Sequence, residues 1–120
     1  MNHFKISEFD SPDVEGSGQK MDKVFLHLID KARERAGVPF KITSGFRTEE
    51  WNLKVGGRVG SSHLKGLAVD IYLPKSSRVR FLIINALIEV GFNRIGIGFK
   101  RAFIHVDMDR TKDGNVIWSY

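Results

Sequence analysis

No cysteine occurs in the 120 residues, which excludes disulfides and thiolate metal sites and leaves any metal to His, Asp, Glu or backbone oxygen. Only four histidines are present, so few places could hold a transition metal. Long apolar runs are missing too. None approaches the roughly 18 uncharged residues of a membrane span, and the opening MNHFKISEFD lacks the apolar core of a signal peptide. The expectation is therefore a chain made in the cytoplasm, with no membrane partner, for which export would need another route; nothing marks an oligomer, so a monomer is the default expectation. Clustered positive charge is also lacking. The net charge of +5 and pI near 9.7 suit a polyanionic partner such as nucleic acid or an anionic cell-wall polymer. The Lys and Arg are nevertheless scattered and not interleaved with aromatics, which argues against nucleic acid.

What is present suits one domain over residues 1–120, with 42% apolar residues to build its core. Residues 1–17 read as irregular, with turn chemistry at Asp10-Ser11-Pro12-Asp13 and in Gly16-Ser17-Gly18. Met21, Val24, Phe25, Leu28, Ile29, Ala32 and Ala36 then recur at three- and four-residue spacing and predict an amphipathic helix stopped by Gly37. A short strand follows at Phe40 to Thr43. Thr48 can cap a short helix with Glu49 and Glu50 in its first turn, ended by the glycines of the loop VGGRVGSS.

Leu67 to Leu73 alternates, so a strand there buries Leu67, Val69, Ile71 and Leu73 and turns Ala68, Asp70 and Tyr72 to the other face. Ser76 or Ser77 starts a second main helix closed by Gly91. Arg94 to Ile97 and Ala102 to Met108 form a hairpin, with Phe103, His105, Asp107 and Asp109 sharing one face of its second strand. Asp113-Gly114 predicts a further hairpin turn into the last strand, VIWSY. The sum is an α+β domain, an antiparallel sheet with two main helices packed on it.

Asp70 poses the chemical question. A carboxylate between Val69 and Ile71 needs a partner, because desolvating it alone costs several kcal/mol or more. His63, at the end of the glycine-rich loop, and His105, on a later strand, are the residues that could share a cation with it. Two imidazoles and one carboxylate on rigid elements are the ligand set of a catalytic zinc site that leaves a fourth position to water. Spacing alone leaves open the blander alternative of ordinary surface histidines and a loop-capping aspartate.

Taken in order, Ser44-Gly45-Phe46-Arg47, Asn52, Gly56-Gly57, the run Ser62-His63-Leu64-Lys65-Gly66-Leu67-Ala68-Val69-Asp70-Ile71, and Phe103-Ile104-His105-Val106-Asp107 resemble the zinc D-Ala-D-Ala carboxypeptidase family. That family includes vancomycin-resistance dipeptidases and phage L-alanyl-D-glutamate endolysins, and it shares its fold with the hedgehog signalling domain. This small, cysteine-free form most resembles the stand-alone peptidases of bacteriophages and prophages, from about Phe9 to the C-terminus. The resemblance implies a hedgehog/DD-peptidase-like fold and a zinc metallopeptidase that cuts peptide bonds of the peptidoglycan stem. It implies that His63, Asp70 and His105 ligate Zn2+, that Arg47 contacts substrate or polarises its scissile carbonyl, and that Ser62 lies near the substrate. The bland alternative for Arg47 is a surface ion pair with Glu49 or Glu50.

The general base does not carry over. Many relatives have a carboxylate three residues before the last ligand, where this chain has Ala102; others have a histidine two residues before it, where this chain has Phe103. Asp107 then stands either as the catalytic carboxylate or as the group that orients the His105 imidazole. Asp10 and Asp13, in the N-terminal loop, are weaker candidates for the base and read first as turn-formers. His27, on the polar side of the first helix, and His3, in a frayed terminus, fall outside the site. Trp118 and Tyr120 are either a cleft wall or edge aromatics, and the GGRVGSS loop either adjusts to substrate or merely tolerates positive φ. The rival reading is a hedgehog-like module that binds zinc and a wall or protein partner without catalysis.

Overall fold

The computed structural model describes residues 1–120 as a five-stranded sheet with two long helices packed on one face and one short helix near its outer side. The helices are α1 (Lys23–Ala36), α2 (Glu49–Lys54) and α3 (Ser77–Glu89). The strands are β1 (Ile42–Ser44), β2 (Ala68–Tyr72), β3 (Arg94–Gly98), β4 (Phe103–Asp107) and β5 (Val116–Ser119). Local chemistry starts each helix: the side chains of Asp22, Thr48 and Ser76 accept hydrogen bonds from the backbone N–H of Phe25, Trp51 and Val79. Gly37 ends α1, as the sequence reading expected, and does so in the left-handed conformation at φ 69°. Val24, which falls within the apolar spacing, is exposed.

The sheet order is β1-β2-β4-β3-β5. Its first four strands are antiparallel, but β5 pairs parallel with β3. The sheet is mostly antiparallel, as expected, but the parallel β5 corrects the expectation of a last hairpin through Asp113-Gly114. Strand β4 is already flanked by β2 and β3, so a chain that reverses after it finds no free β4 edge. It reaches the outer edge of β3 instead, running the same way as β3.

Val69, Ile71, Ile104 and Val106 point from the sheet into the core against Phe25 and Ile29 of α1 and Ile83 and Leu87 of α3. The N-terminal segment joins this core rather than fraying. It forms 3-10 turns at Ile6–Phe9 and Ser17–Lys20, buries Phe4 and Phe9, and anchors the backbone N–H groups of Asn2 and His3 on the Asp30 carboxylate. Asp10 accepts from the N–H groups of Gly16 and Gly18, while Asp13 accepts from the hydroxyls of Ser11 and Thr48, so both hold turns.

Candidate metal centre

The outer face of the sheet carries a cross-strand row. Ser44 pairs with Asp70, Asp70 with His105, His105 with Gly96, and Gly96 with Trp118, so one line of residues crosses all five strands. Strand alternation placed Asp70 on this face, and the β2/β4 register sets it opposite His105. His63 arrives from outside the sheet on a 3-10 turn, Ser62–Lys65, whose start is held by the Ser61 hydroxyl and whose end is Gly66 at φ 70°.

Asp70 Oδ1 lies 3.0 Å from His105 Nδ1 and 3.3 Å from His63 Nε2. The ring nitrogens not facing Asp70 are both committed elsewhere. His63 Nδ1–H donates to the Gly45 carbonyl at 2.8 Å, and His105 Nε2–H donates to Asp107 Oδ2 at 2.7 Å. In their neutral forms both imidazoles therefore aim a lone pair at a carboxylate oxygen, an arrangement of three acceptors that needs a cation or a proton between them. The three ligand atoms lie within 4.8 Å of one another. A tetrahedron of zinc bonds of about 2.0–2.1 Å has edges of roughly 3.3 Å, so spacing and donor chemistry both fit that metal.

The same geometry shows in the titration of these groups. Burial alone would raise the Asp70 pKa, but the facing imidazoles outweigh it and hold the carboxyl well below its usual range. Burial likewise opposes charge on His105, yet its hydrogen bonds to Asp107 and Asp70 raise its pKa above the ordinary value.

Arg47 stands at the other oxygen of Asp70, with Nη2 3.6 Å from Oδ2. Its Nε donates to the Ser44 hydroxyl and its Nη1 to Asn52 Oδ1, so the fork is fixed from two sides and pairs with neither Glu49 nor Glu50. Gly57 leaves no room for a side chain beside Asn52 and Arg47, which accounts for a glycine at that point of the loop. Ser62 is buried, donates to Asp109 Oδ2 at 2.7 Å and accepts from Lys112 Nζ at 2.9 Å. Asp107 is 1% exposed; one oxygen receives His105 while the other receives Arg94 Nε at 2.7 Å and the Asp109 N–H at 3.1 Å.

These residues border an open cleft of about 1200 Å3. Trp118 and Tyr120 line it, and Trp118 reaches the His105 ring, at 5.8 Å, because Gly96 has no side chain beneath the indole. Ala102 lines it as well, at φ 55° in the turn between β3 and β4. Of the other two histidines, His27 is exposed on α1 and His3 lies at the N-terminal segment, so neither joins the cluster. Sequence reasoning missed Gly45 and Arg94. Gly45 acts through a backbone carbonyl, which no side-chain pattern reveals; Arg94 could have been suspected only from its sharing a sheet face with Asp107.

The peptidase M15 family model matches residues 2–107 of this sequence. The chain belongs to the peptidase M15 family. No match was found among curated proteins. M15 peptidases are zinc-dependent and have the hedgehog-like α+β fold, and the His63, Asp70 and His105 cluster lies within the matched residues. Strand β5, which carries Trp118, and Tyr120 just after it lie beyond them, so part of the cleft wall comes from outside the M15 match.

Proposed function

We propose that this chain is a zinc-dependent peptidase that cleaves peptide bonds in the peptidoglycan stem, as a D,D-carboxypeptidase or an L,D-endopeptidase, and that it is made in the cytoplasm, possessed by a phage or prophage, and acts on the cell wall. The observation that carries the reading is the convergence of His63 Nε2, Asp70 Oδ1 and His105 Nδ1 in an open cleft, with the remaining imidazole nitrogens already donating elsewhere. Bound zinc supplies a Lewis acid that acidifies water and polarises a peptide carbonyl.

The chain's own side chains bind and orient around it. Gly45 and Asp107 hold the two imidazoles in the tautomers that leave Nε2 of His63 and Nδ1 of His105 free to ligate. Arg47, fixed by Ser44 and Asn52, presents permanent positive charge beside Asp70, suited to a substrate carboxylate or to the oxyanion of a carbonyl under attack. Ser62 acts through its contacts to Asp109 and Lys112, steadying the turn that carries His63. Asp107, with both oxygens engaged, orients His105.

One observation favours a second reading, a metal-binding module without turnover. Asp70 and Asp107 are the only Asp or Glu side chains lining the cleft, one in the metal cluster and the other locked by Arg94, so no free acidic side chain stands ready to take a proton from water. The deciding experiment is mass spectrometry of fragments released from purified peptidoglycan by the zinc-loaded protein, with His63→Ala as control. Defined stem-peptide products that vanish in the control support the peptidase. Uncut sacculi and uncut synthetic stem peptides, with zinc still bound, would leave the module.

A further inference from the structure

Positive charge dispersed along the sequence is gathered by the fold at one place. Six cationic side chains line the cleft over the metal cluster, against the two carboxylates Asp70 and Asp107. This excess of four charges compares with +5 for the whole chain, so the rest of the molecule is close to neutral.

Three of the six cations already have partners. Arg47 pairs with Asp70, Arg94 with Asp107, and Lys112 with Asp109 and the Ser62 hydroxyl. The other three, Arg58, Lys100 and Arg101, are exposed and make no ion pair with any carboxylate. They come from two separate segments bordering the same cleft, Arg58 from the loop after α2 and Lys100-Arg101 from the turn joining β3 and β4. Like charges collected without counter-ions repel one another, and a ligand carrying negative charge relieves that repulsion.

We propose that Arg58, Lys100 and Arg101 form an anion-binding rim that selects acidic peptides, those with free side-chain carboxylates flanking the bond presented to His63, Asp70 and His105. The cleavage part rests on the peptidase reading; the binding part does not. A peptide is favoured over nucleic acid because duplex binding draws its affinity from about 6–10 phosphate contacts along a stripe, whereas here three free cations border a single bounded cleft. Rim cations of this kind speed association and set charge preference, and their effect weakens with salt.

The test is calorimetric titration of the zinc-loaded full chain with two synthetic peptides that differ only in glutamate against glutamine. The glutamate peptide is expected to bind about tenfold tighter at low salt, with the gap narrowing as salt rises. Arg58→Gln/Lys100→Gln/Arg101→Gln should abolish the gap. Lys23→Gln/Lys31→Gln/Lys75→Gln, which removes the same charge from exposed positions outside the cleft, should keep it. All six side chains are exposed, so circular dichroism should be unchanged in both variants. Equal binding of the two peptides, a gap that survives the rim variant, an equal loss in the control, or tighter binding of oligothymidylate than of the acidic peptide would each overturn the rim. Hydrolysis separates the two readings: charge-selective binding with sacculi and synthetic stem peptides left uncut removes the peptidase and keeps the rim, while cleavage of both peptides at equal kcat/KM does the reverse.

Discussion

Nε2 of His105 stands 2.7 Å from Oδ2 of Asp107, a carboxylate whose other oxygen is gripped by Arg94. The contact makes the imidazole donate outward and leaves Nδ1 for the metal. Asp107→Asn keeps the shape but removes the charge that sets the tautomer, and zinc affinity should fall about 10- to 100-fold in competition with a chromophoric chelator. Were Asp107 the catalytic base instead, the same variant would keep its zinc and lose only turnover. The chelator titration and the rate together decide between the two roles that the sequence left open.

Gly45 is held against the N-terminal segment: a Cβ there would meet the Cα and the carbonyl oxygen of Phe9, each at 2.7 Å. The neighbouring Phe46 N–H donates to that same Phe9 carbonyl, so the backbone has little freedom to move away. Gly45→Ala should cost about 1–3 kcal/mol in denaturant unfolding. Because the Gly45 carbonyl receives His63 Nδ1–H, zinc affinity should fall with stability. Unchanged affinity in a destabilised protein would show that the carbonyl does not orient His63.

Much of this site was legible because its signals are periodic or chemical. Two-residue alternation put Asp70 and His105 on the solvent side of their strands, and the glycine-flanked SHLKGLAVD run marked His63. What stayed hidden depends on long-range partners. Which edge the last strand would take could not be read from VIWSY, because it follows from which edges β2 and β3 had already covered. Arg47 was read as a site residue, with a surface ion pair to Glu49 or Glu50 as the alternative, but its contact with Asp70 could not be read from the sequence, because Asp70 lies on β2, far away in the chain. The cationic cleft is the clearest case: Arg58 and Arg101 lie far apart in sequence and share a cavity only after folding.

Asp109 is 2% exposed and accepts from Ser62, Lys65 and Thr111. Burial raises its pKa, but these hydrogen bonds prevail and hold it well below the usual carboxylate range. A depressed folded-state pKa contributes stability that is complete above the unfolded value of about 3.9 and is lost as pH falls toward the folded one. Urea unfolding should therefore show stability declining as the solution is acidified below about pH 5. Asp109→Asn should be less stable by about 1–3 kcal/mol near pH 7 and show a shallower decline in acid. Parallel acid profiles for the two proteins would mean that other carboxylates carry the dependence.

Arg47 is placed by three neighbours rather than by its own preference: Ser44 at Nε, Asn52 at Nη1 and Asp70 near Nη2. Lysine would keep the charge but could not satisfy Ser44 and Asn52 while also reaching across the cleft, since it presents one ammonium instead of a planar fork. If Arg47 stabilises charge that develops at the carbonyl, Arg47→Lys should lower kcat about 100-fold, with KM little changed and zinc content intact. If it only anchors a substrate carboxylate, KM should rise while kcat holds. Zinc content is the control that matters, because Arg47 also touches a metal ligand: a variant that loses zinc would trace the defect to Asp70 and remove Arg47 from the reaction.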